Sequence, residues 1–84
     1  MISKVARSFW KELTALPKAT RRLAFKNYQL WLENPEHPSL RFKKFRHGQW
    51  SVRVGDHYRA VDFFRDAKTF VWTWIGSHED YNKL

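Results

Sequence analysis

Apolar and polar positions along this chain follow two different periods. Up to about residue 33 the apolar residues recur every three or four positions, first Phe9, Trp10, Leu13 and Leu16, then Ala24, Phe25, Tyr28, Trp31 and Leu32. That spacing predicts two helices. Ser8 is a candidate N-cap for the first. Pro17 interrupts the pattern and can open the second, because a missing N–H is harmless in a first helical turn. Asn34-Pro35 stops it after Glu33. On nearly the opposite side of the second helix Leu23 and Leu30 repeat, with Ala19 above them. One stripe is expected to cover a sheet, and the other to meet the first helix or a partner chain. Two antiparallel helices joined at Pro17 are the economical arrangement.

After the Pro35–Pro38 corner the period changes to two. Leu40 and Phe42 alternate with Arg41 and Lys43, and Gly48 breaks the segment. Trp50, Val52 and Val54 alternate with Ser51 and Arg53 until Gly55-Asp56 turns the chain. Tyr58 to Phe64 is rich in β-formers, Arg65-Asp66-Ala67 reads as a turn, Lys68 to Ile75 is the strongest strand signal, and a polar tail follows Gly76. A helical hairpin on one face of a three- to four-stranded twisted antiparallel sheet is the α+β fold this order implies, as a single domain over residues 1–84. Ile2 and Val5 give thin support for a strand within residues 1–7.

The turn at Gly55 sets a register. With a three-residue loop Val54 faces Tyr58, Val52 faces Ala60 and Arg53 faces Arg59, so the apolar members share the buried face and both arginines project from the other. A two-residue loop would lose that sorting. Like charges directly opposite one another are unfavourable in a sheet, and a phosphate between them would relieve the repulsion; the alternative is that each splays into water or pairs with Asp56 or Asp62. At the next hairpin a three-residue turn places Phe70, Trp72 and Trp74 on the core face, and a one-residue bulge would reverse this.

Charge changes the picture from fold to partner. Sixteen Lys and Arg against eight Asp and Glu give a net charge of +8 in 84 residues. Arg41, Lys43, Lys44, Arg46, Arg53 and Arg59 cluster with only Asp56 among them, a footprint suited to a polyanion. No apolar run approaches the ~18 residues needed to cross a bilayer, which argues against a membrane partner. Cysteine is absent, removing disulfides, thiolate nucleophiles and the usual structural zinc site; the cytosol is the expected compartment. The four histidines have no metal-ligand spacing, no glycine-rich phosphate loop exists, and no Ser sits in a nucleophile elbow. No metal or cofactor is expected. His78 can act as acid or base near neutrality, and Tyr81 can hydrogen-bond or donate a proton.

The segments Asn34-Pro35-Glu36-His37-Pro38-Ser39-Leu40, Trp50-Ser51-Val52-Arg53-Val54-Gly55, Tyr58-Arg59-Ala60 and Trp74-Ile75-Gly76-Ser77-His78-Glu79-Asp80-Tyr81 resemble, in this order, the RelE/ParE superfamily of toxins from type II toxin–antitoxin modules. The resemblance implies a helical hairpin against a twisted antiparallel sheet. It also implies a toxin that cleaves mRNA, with or without the ribosome, or one that, like ParE, poisons DNA gyrase without being an enzyme. Carried over residue by residue, Arg53 and Arg59 look like the strand arginines of the nuclease members, and Lys43 or Lys44 like their basic residues after the second helix. His78 and Tyr81 look like the C-terminal His and aromatic groups. The expected catalytic set is thus Arg53, Arg59, His78 and Tyr81, with Arg41, Lys43, Lys44 and Arg46 holding RNA. A cognate antitoxin would cover the basic face or the Leu23/Leu30 stripe. Two departures stand out: the superfamily's first strand is short or missing, and no residue matches the acidic general base of some members.

Overall fold

The computed structural model describes residues 2–84. Strand β1 (Ile2–Val5) leads into helices α1 (Arg7–Thr14) and α2 (Lys18–Glu33) and a 3-10 turn (Pro38–Leu40). Strands β2 (Lys43–Lys44), β3 (Gln49–Val54), β4 (Tyr58–Asp66) and β5 (Thr69–Ser77) follow, then helix α3 (His78–Asn82). The strands form one sheet in the order β1-β5-β4-β3-β2. The α+β reading therefore holds, with one strand more than expected.

That extra strand is β1, and it runs parallel to β5, with Ile2 beside Thr69 and Val5 beside Trp72. Its pattern escapes a hydrophobicity reading because a serine points inward. Ser3 Oγ accepts hydrogen bonds from Tyr28 Oη at 2.8 Å and Trp72 Nε1 at 3.1 Å, so a polar group is satisfied inside an aromatic neighbourhood. The first-strand departure noted above thus disappears in three dimensions.

Both helices lie where the apolar periodicity puts them, with corrected details. Ala6, not Ser8, holds the N-cap position of α1 and makes no side-chain cap. Ser8 instead donates from Oγ to the Thr73 carbonyl at 3.0 Å, tying α1 to β5. In α2, at about 100° per residue, Leu30, Leu23, Asn27, Trp31, Ala24 and Tyr28 share one arc of roughly 160°. Five of these are apolar, and all five pack in or against the core. Phe25 and Leu32 fall outside the arc and are 56% and 50% exposed. The two stripes read from the sequence are one broad face, and Leu23 and Leu30 belong to it. They do not form a free docking stripe.

Trp31 is the hub of the core, fully buried. Phe70 and Trp72 meet its ring edge-on at 5.0 Å each, Phe42 does so at 5.9 Å, and Tyr28 stacks at 6.4 Å. Such pairs add about 0.5–1.5 kcal/mol each beyond their buried area. A β-bulge then splits the β5 aromatics. Val61 pairs with Trp74 but Asp62 with Trp72, leaving Thr73 as the extra residue. Phe70, Trp72 and Ile75 consequently enter the core, and Trp74 turns to the other face. Placing all three aromatics on one face is corrected by that bulge. The α1 helix rests on β5 and α2 on β3. Between them lies an apolar cleft of about 190 Å³, whose lining includes Phe9, Trp10, Leu13, Phe25 and Tyr28.

One buried group is out of character. Asp62 is fully buried on the core face, opposite Trp50 and Trp72. Among the described residues neither carboxyl oxygen has a hydrogen-bond partner. It faces away from the arginines and cannot pair with them. Burial pushes its carboxyl up from 3.8 to about 8. The folded form therefore keeps a proton that the unfolded chain has released at neutral pH. Stability from this group is full below about pH 4 and falls as pH rises toward 8, by up to about 1.4 kcal/mol per pH unit. Thermal melts should show wild-type Tm declining from pH 5 to 8, and Asp62→Asn should flatten that slope. An equal slope in both proteins would contradict a proton on Asp62.

Candidate nucleic-acid interface

The face of the sheet opposite α1 and α2 is organised by the β3–β4 turn. Val54 pairs with Tyr58, Val52 with Ala60 and Arg53 with Arg59, the register of a three-residue loop. Gly55 has φ +66°, and a Cβ there would meet Leu23 Cδ2 at 2.6 Å. Both the left-handed backbone and the close helix call for glycine. Leu23 thus braces the turn from the core side, and Asn27 Nδ2 donates to the Arg53 carbonyl at 3.1 Å. The arginine pair is fixed in place by α2 from behind.

Arg53 is partly neutralised. Its Nε donates to the Gly55 carbonyl at 3.1 Å, and its Nη2 forms a salt bridge with Asp56. Among the described residues Arg59 has no such carboxylate; its Nη1 donates to the Tyr58 carbonyl at 2.8 Å. Partial burial, then the charges of Arg53 and Arg41, hold the Arg59 guanidinium below its ordinary value, with Tyr81 and Asp56 acting the other way. Arg53, Arg41, Tyr81 and Asp56 are thus the charged or titratable neighbours whose field Arg59 feels. Arg41 stands at the end of the 3-10 turn, where its φ is +46°. Across the sheet Arg59 pairs with Gly76. The Trp74 indole lies so close over Gly76 that a Cβ there would approach it to 2.5 Å.

The remaining basic residues separate by face. Lys43 pairs with Ser51 and lies on the arginine side, whereas Lys44 pairs with Trp50 and sits on the helix side, its Nζ 6.0 Å from the Trp50 ring centroid. Of the two lysines only Lys43 shares the face of Arg53. Arg46 occupies the β2–β3 turn, where His47 and Gly48 both have positive φ, and its guanidinium lies 5.1 Å from the Phe45 ring centroid.

Residues beyond Gly76 are not a loose tail. Ser77 caps α3, its Oγ accepting from Asp80 N at 3.1 Å, and Glu79 and Asp80 suit the positive end of the helix. The helix brings Tyr81 onto the arginine face, buried, donating to Ser51 Oγ at 3.2 Å and stacked on Phe45 at 4.6 Å. Tyr81 is an anchor, its hydroxyl engaged with Ser51, the hydrogen-bonding alternative of the two expected for it. His78 is exposed in the first turn of α3, its ring 6.1 Å from that of Tyr81. Its backbone N–H donates to the His57 carbonyl at 2.7 Å, joining α3 to the turn that carries Asp56. Phe45, Ser51 and Asn27 escape a sequence reading because each acts through a partner distant in the chain. Among the described residues no group of three or more His, Cys, Asp or Glu side chains converges to share a metal ion. No described helix is long and apolar enough to cross a membrane.

Comparison with known proteins follows this geometry. The family pattern described as the ParE-like toxin domain matches residues 18–83. No curated protein matches the chain by sequence. Among solved structures, the RelB–RelE antitoxin–toxin complex from Methanococcus jannaschii superposes with a TM-score of 0.74 at 18% identity, over 95% of each chain. The YoeB/ParE toxin from Agrobacterium tumefaciens gives 0.71 at 13% identity, over 93% of this chain and 99% of that one. The RelE–RelB complex from Pyrococcus horikoshii gives 0.63 at 21% identity, over 90% and 92%. At such identities the likeness is one of fold.

The arginine pair makes a prediction of its own. Like charges opposed in a sheet cost about 0.2–1 kcal/mol, and 1 kcal/mol moves Tm by roughly 4–8 °C in a domain of this size. In chloride, Arg59→Ala should melt at the wild-type temperature or a few degrees above it. Sulfate or phosphate at matched ionic strength should raise Tm of the wild type and leave Arg59→Ala nearly unmoved. A lower Tm for Arg59→Ala in chloride, with an undiminished anion effect, would contradict a shared anion site.

Proposed function

The chain belongs to the ParE-like toxin family, and from that premise we propose that it is the toxin of a type II toxin–antitoxin system of the RelE/ParE superfamily and a metal-independent endoribonuclease that blocks translation by cutting mRNA. The observation that carries this reading is the opposed pair Arg53 and Arg59 with Arg41 beside them. Arg53 and Arg59 stand opposite one another within the field of Arg41, and among the described residues one carboxylate, Asp56, pairs with them. A phosphodiester supplies the missing negative charge through charge-assisted, bidentate hydrogen bonds.

In this mechanism the scissile phosphate sits against Arg59 and Arg53, and Lys43 and Arg41 take neighbouring phosphates. The ribose 2′-oxygen attacks phosphorus as its proton is removed, the P–O5′ bond breaks, and the departing 5′-oxygen gains a proton. The products are a 2′,3′-cyclic phosphate and a 5′-hydroxyl. The arginines stabilise the charge that accumulates on the phosphorane oxygens. His78 is the exposed group suited to moving one of the two protons. Tyr81 acts by position: it holds α3, and with it His78, on the arginine face.

The antitoxin is the second partner, and the cleft between α1 and α2 suits it better than the Leu23/Leu30 stripe. Trp10 and Phe25 stand at its rim, 46% and 56% exposed. The two helices carry Arg7, Lys11, Lys18, Arg21, Arg22 and Lys26 against Glu12 and Glu33. An amphipathic segment with acidic flanks matches both the apolar cleft and its charge.

Gyrase inhibition is the second reading, favoured by the ParE-like character of the matched family. Expression with pulse labelling separates the two. Rapid loss of protein synthesis with mapped mRNA cuts is expected, and His78→Ala should slow cutting by ~10²–10⁴ while melting like the wild type. DNA damage signalling with translation initially intact would overturn the nuclease reading in favour of gyrase. For the antitoxin, Phe25→Glu should weaken binding at least tenfold in a calorimetric titration with Tm unchanged. Unaltered affinity in both Phe25→Glu and Trp10→Glu would remove the cleft as the docking site.

A further inference from the structure

The β2–β3 turn holds an arrangement that the phosphate-binding arginines leave unexplained. Phe45 N–H donates to the Gln49 carbonyl at 2.8 Å, and strand alternation from Lys43 puts the Phe45 side chain on the arginine face. One face of its ring stacks on Tyr81 at 4.6 Å with an interplanar angle of 29°. Beyond Tyr81 comes the tilted His78 ring. On Phe45 lies the Arg46 guanidinium, 5.1 Å from the ring centroid. Arg46 is exposed and, among the described residues, forms no salt bridge. Arg46, Phe45, Tyr81 and His78 are therefore successive neighbours on the face that carries Arg53 and Arg59.

Core packing accounts for the Phe45–Tyr81 contact and leaves Arg46 unaccounted for. The net charge of +8 would favour spreading the arginine into water, yet its guanidinium carbon lies over an aromatic ring, 5.1 Å from the centroid. A guanidinium is planar and stacks as a nucleobase does. It covers the ring with a group that can lift away at little cost, because it holds no carboxylate. The turn is also open: a Cβ placed on Gly48 would have nothing within 4 Å.

We propose that Phe45 and Arg46 form a nucleobase-stacking subsite, in which an unpaired base of the bound RNA slides between the guanidinium and the ring while its phosphate is held by the arginines. The proposal rests on the RNA reading above and deepens it by naming the group that grips a base. Stacking is tolerant of base identity, since every base has a π-face. The subsite therefore selects single-stranded RNA and positions it; a duplex cannot offer an unpaired base.

The test uses the full chain and a short 2′-O-methyl RNA, which cannot be cut by 2′-hydroxyl attack, with a series lacking one base at each position in turn. Affinities are read by fluorescence anisotropy. A stacked base is worth roughly 5- to 150-fold in affinity, so one position of the series should bind the wild type at least fivefold more weakly than the intact RNA. Phe45→Leu keeps an apolar side chain against Tyr81 and should erase that difference while binding the base-lacking RNA as the wild type does. Arg46→Glu leaves the Phe45–Tyr81 pair intact and should shrink the same difference. Discrimination that survives in both variants overturns the subsite and leaves the RNA reading standing. A wild type that binds neither RNA overturns both. Circular dichroism of each variant confirms that the helix content matches the wild type.

Discussion

The three-residue turn at Gly55-Asp56-His57 is the constraint on which the rest of this molecule depends. It sets the β3–β4 register, and a one-residue slip in a sheet sends every side chain to the other face. With this register Val52, Val54 and Ala60 enter the core, and Arg53 and Arg59 project together on the far side. Leu23 beneath Gly55 and Asn27 on the Arg53 carbonyl enforce it from α2. Core and site are thus consequences of the same turn, and a substitution that shifted it would lose both.

A chain of 84 residues has little interior, and large aromatic side chains supply most of what it has. Trp31 gathers Phe42, Phe70, Trp72 and Tyr28 around itself, while Ser3 joins β1 to the same group. The far face has a smaller aromatic system of its own, in which Phe45, Tyr81 and Ser51 hold α3. That second system turns the residues after Gly76 from a tail into part of the site. Among the described residues two buried side chains lack hydrogen-bond partners: the Trp31 indole N–H, and Asp62, a carboxyl kept protonated near neutral pH by its burial.

Much of this was legible in the sequence because local signals agreed with the tertiary arrangement. The helices, the β3–β4 register and the opposed arginines all follow from periodicity and one glycine turn. What periodicity missed has specific causes. Ser3 hides β1, because its inward position is paid for by hydrogen bonds that no hydropathy pattern records. The bulge at Thr73 inverts Trp74, since nothing local distinguishes a bulge from a regular strand there. Leu23 and Leu30 read as a separate stripe because the inward arc of α2 includes a polar residue, Asn27, whose partner lies in β3. Within the site, Arg53, Arg59 and Tyr81 could be placed on one face from sequence and resemblance. The engagement of Tyr81 with Ser51, the split between Lys43 and Lys44, and the brace of Asp56 on Arg53 required three-dimensional contacts.

In the proposed function Arg53 and Arg59 hold a phosphodiester for attack by its own 2′-oxygen. The most direct measurement is the chemistry of the ends left when the purified protein, alone or with programmed ribosomes, acts on a labelled mRNA in the presence of a chelator. Fragments ending in a 2′,3′-cyclic phosphate with 5′-hydroxyl partners are expected, undiminished by chelation, with no cutting where a deoxyribose replaces the ribose at the cut site. Fragments ending in a 3′-hydroxyl with 5′-phosphate partners, or cutting that stops with the chelator, would contradict it.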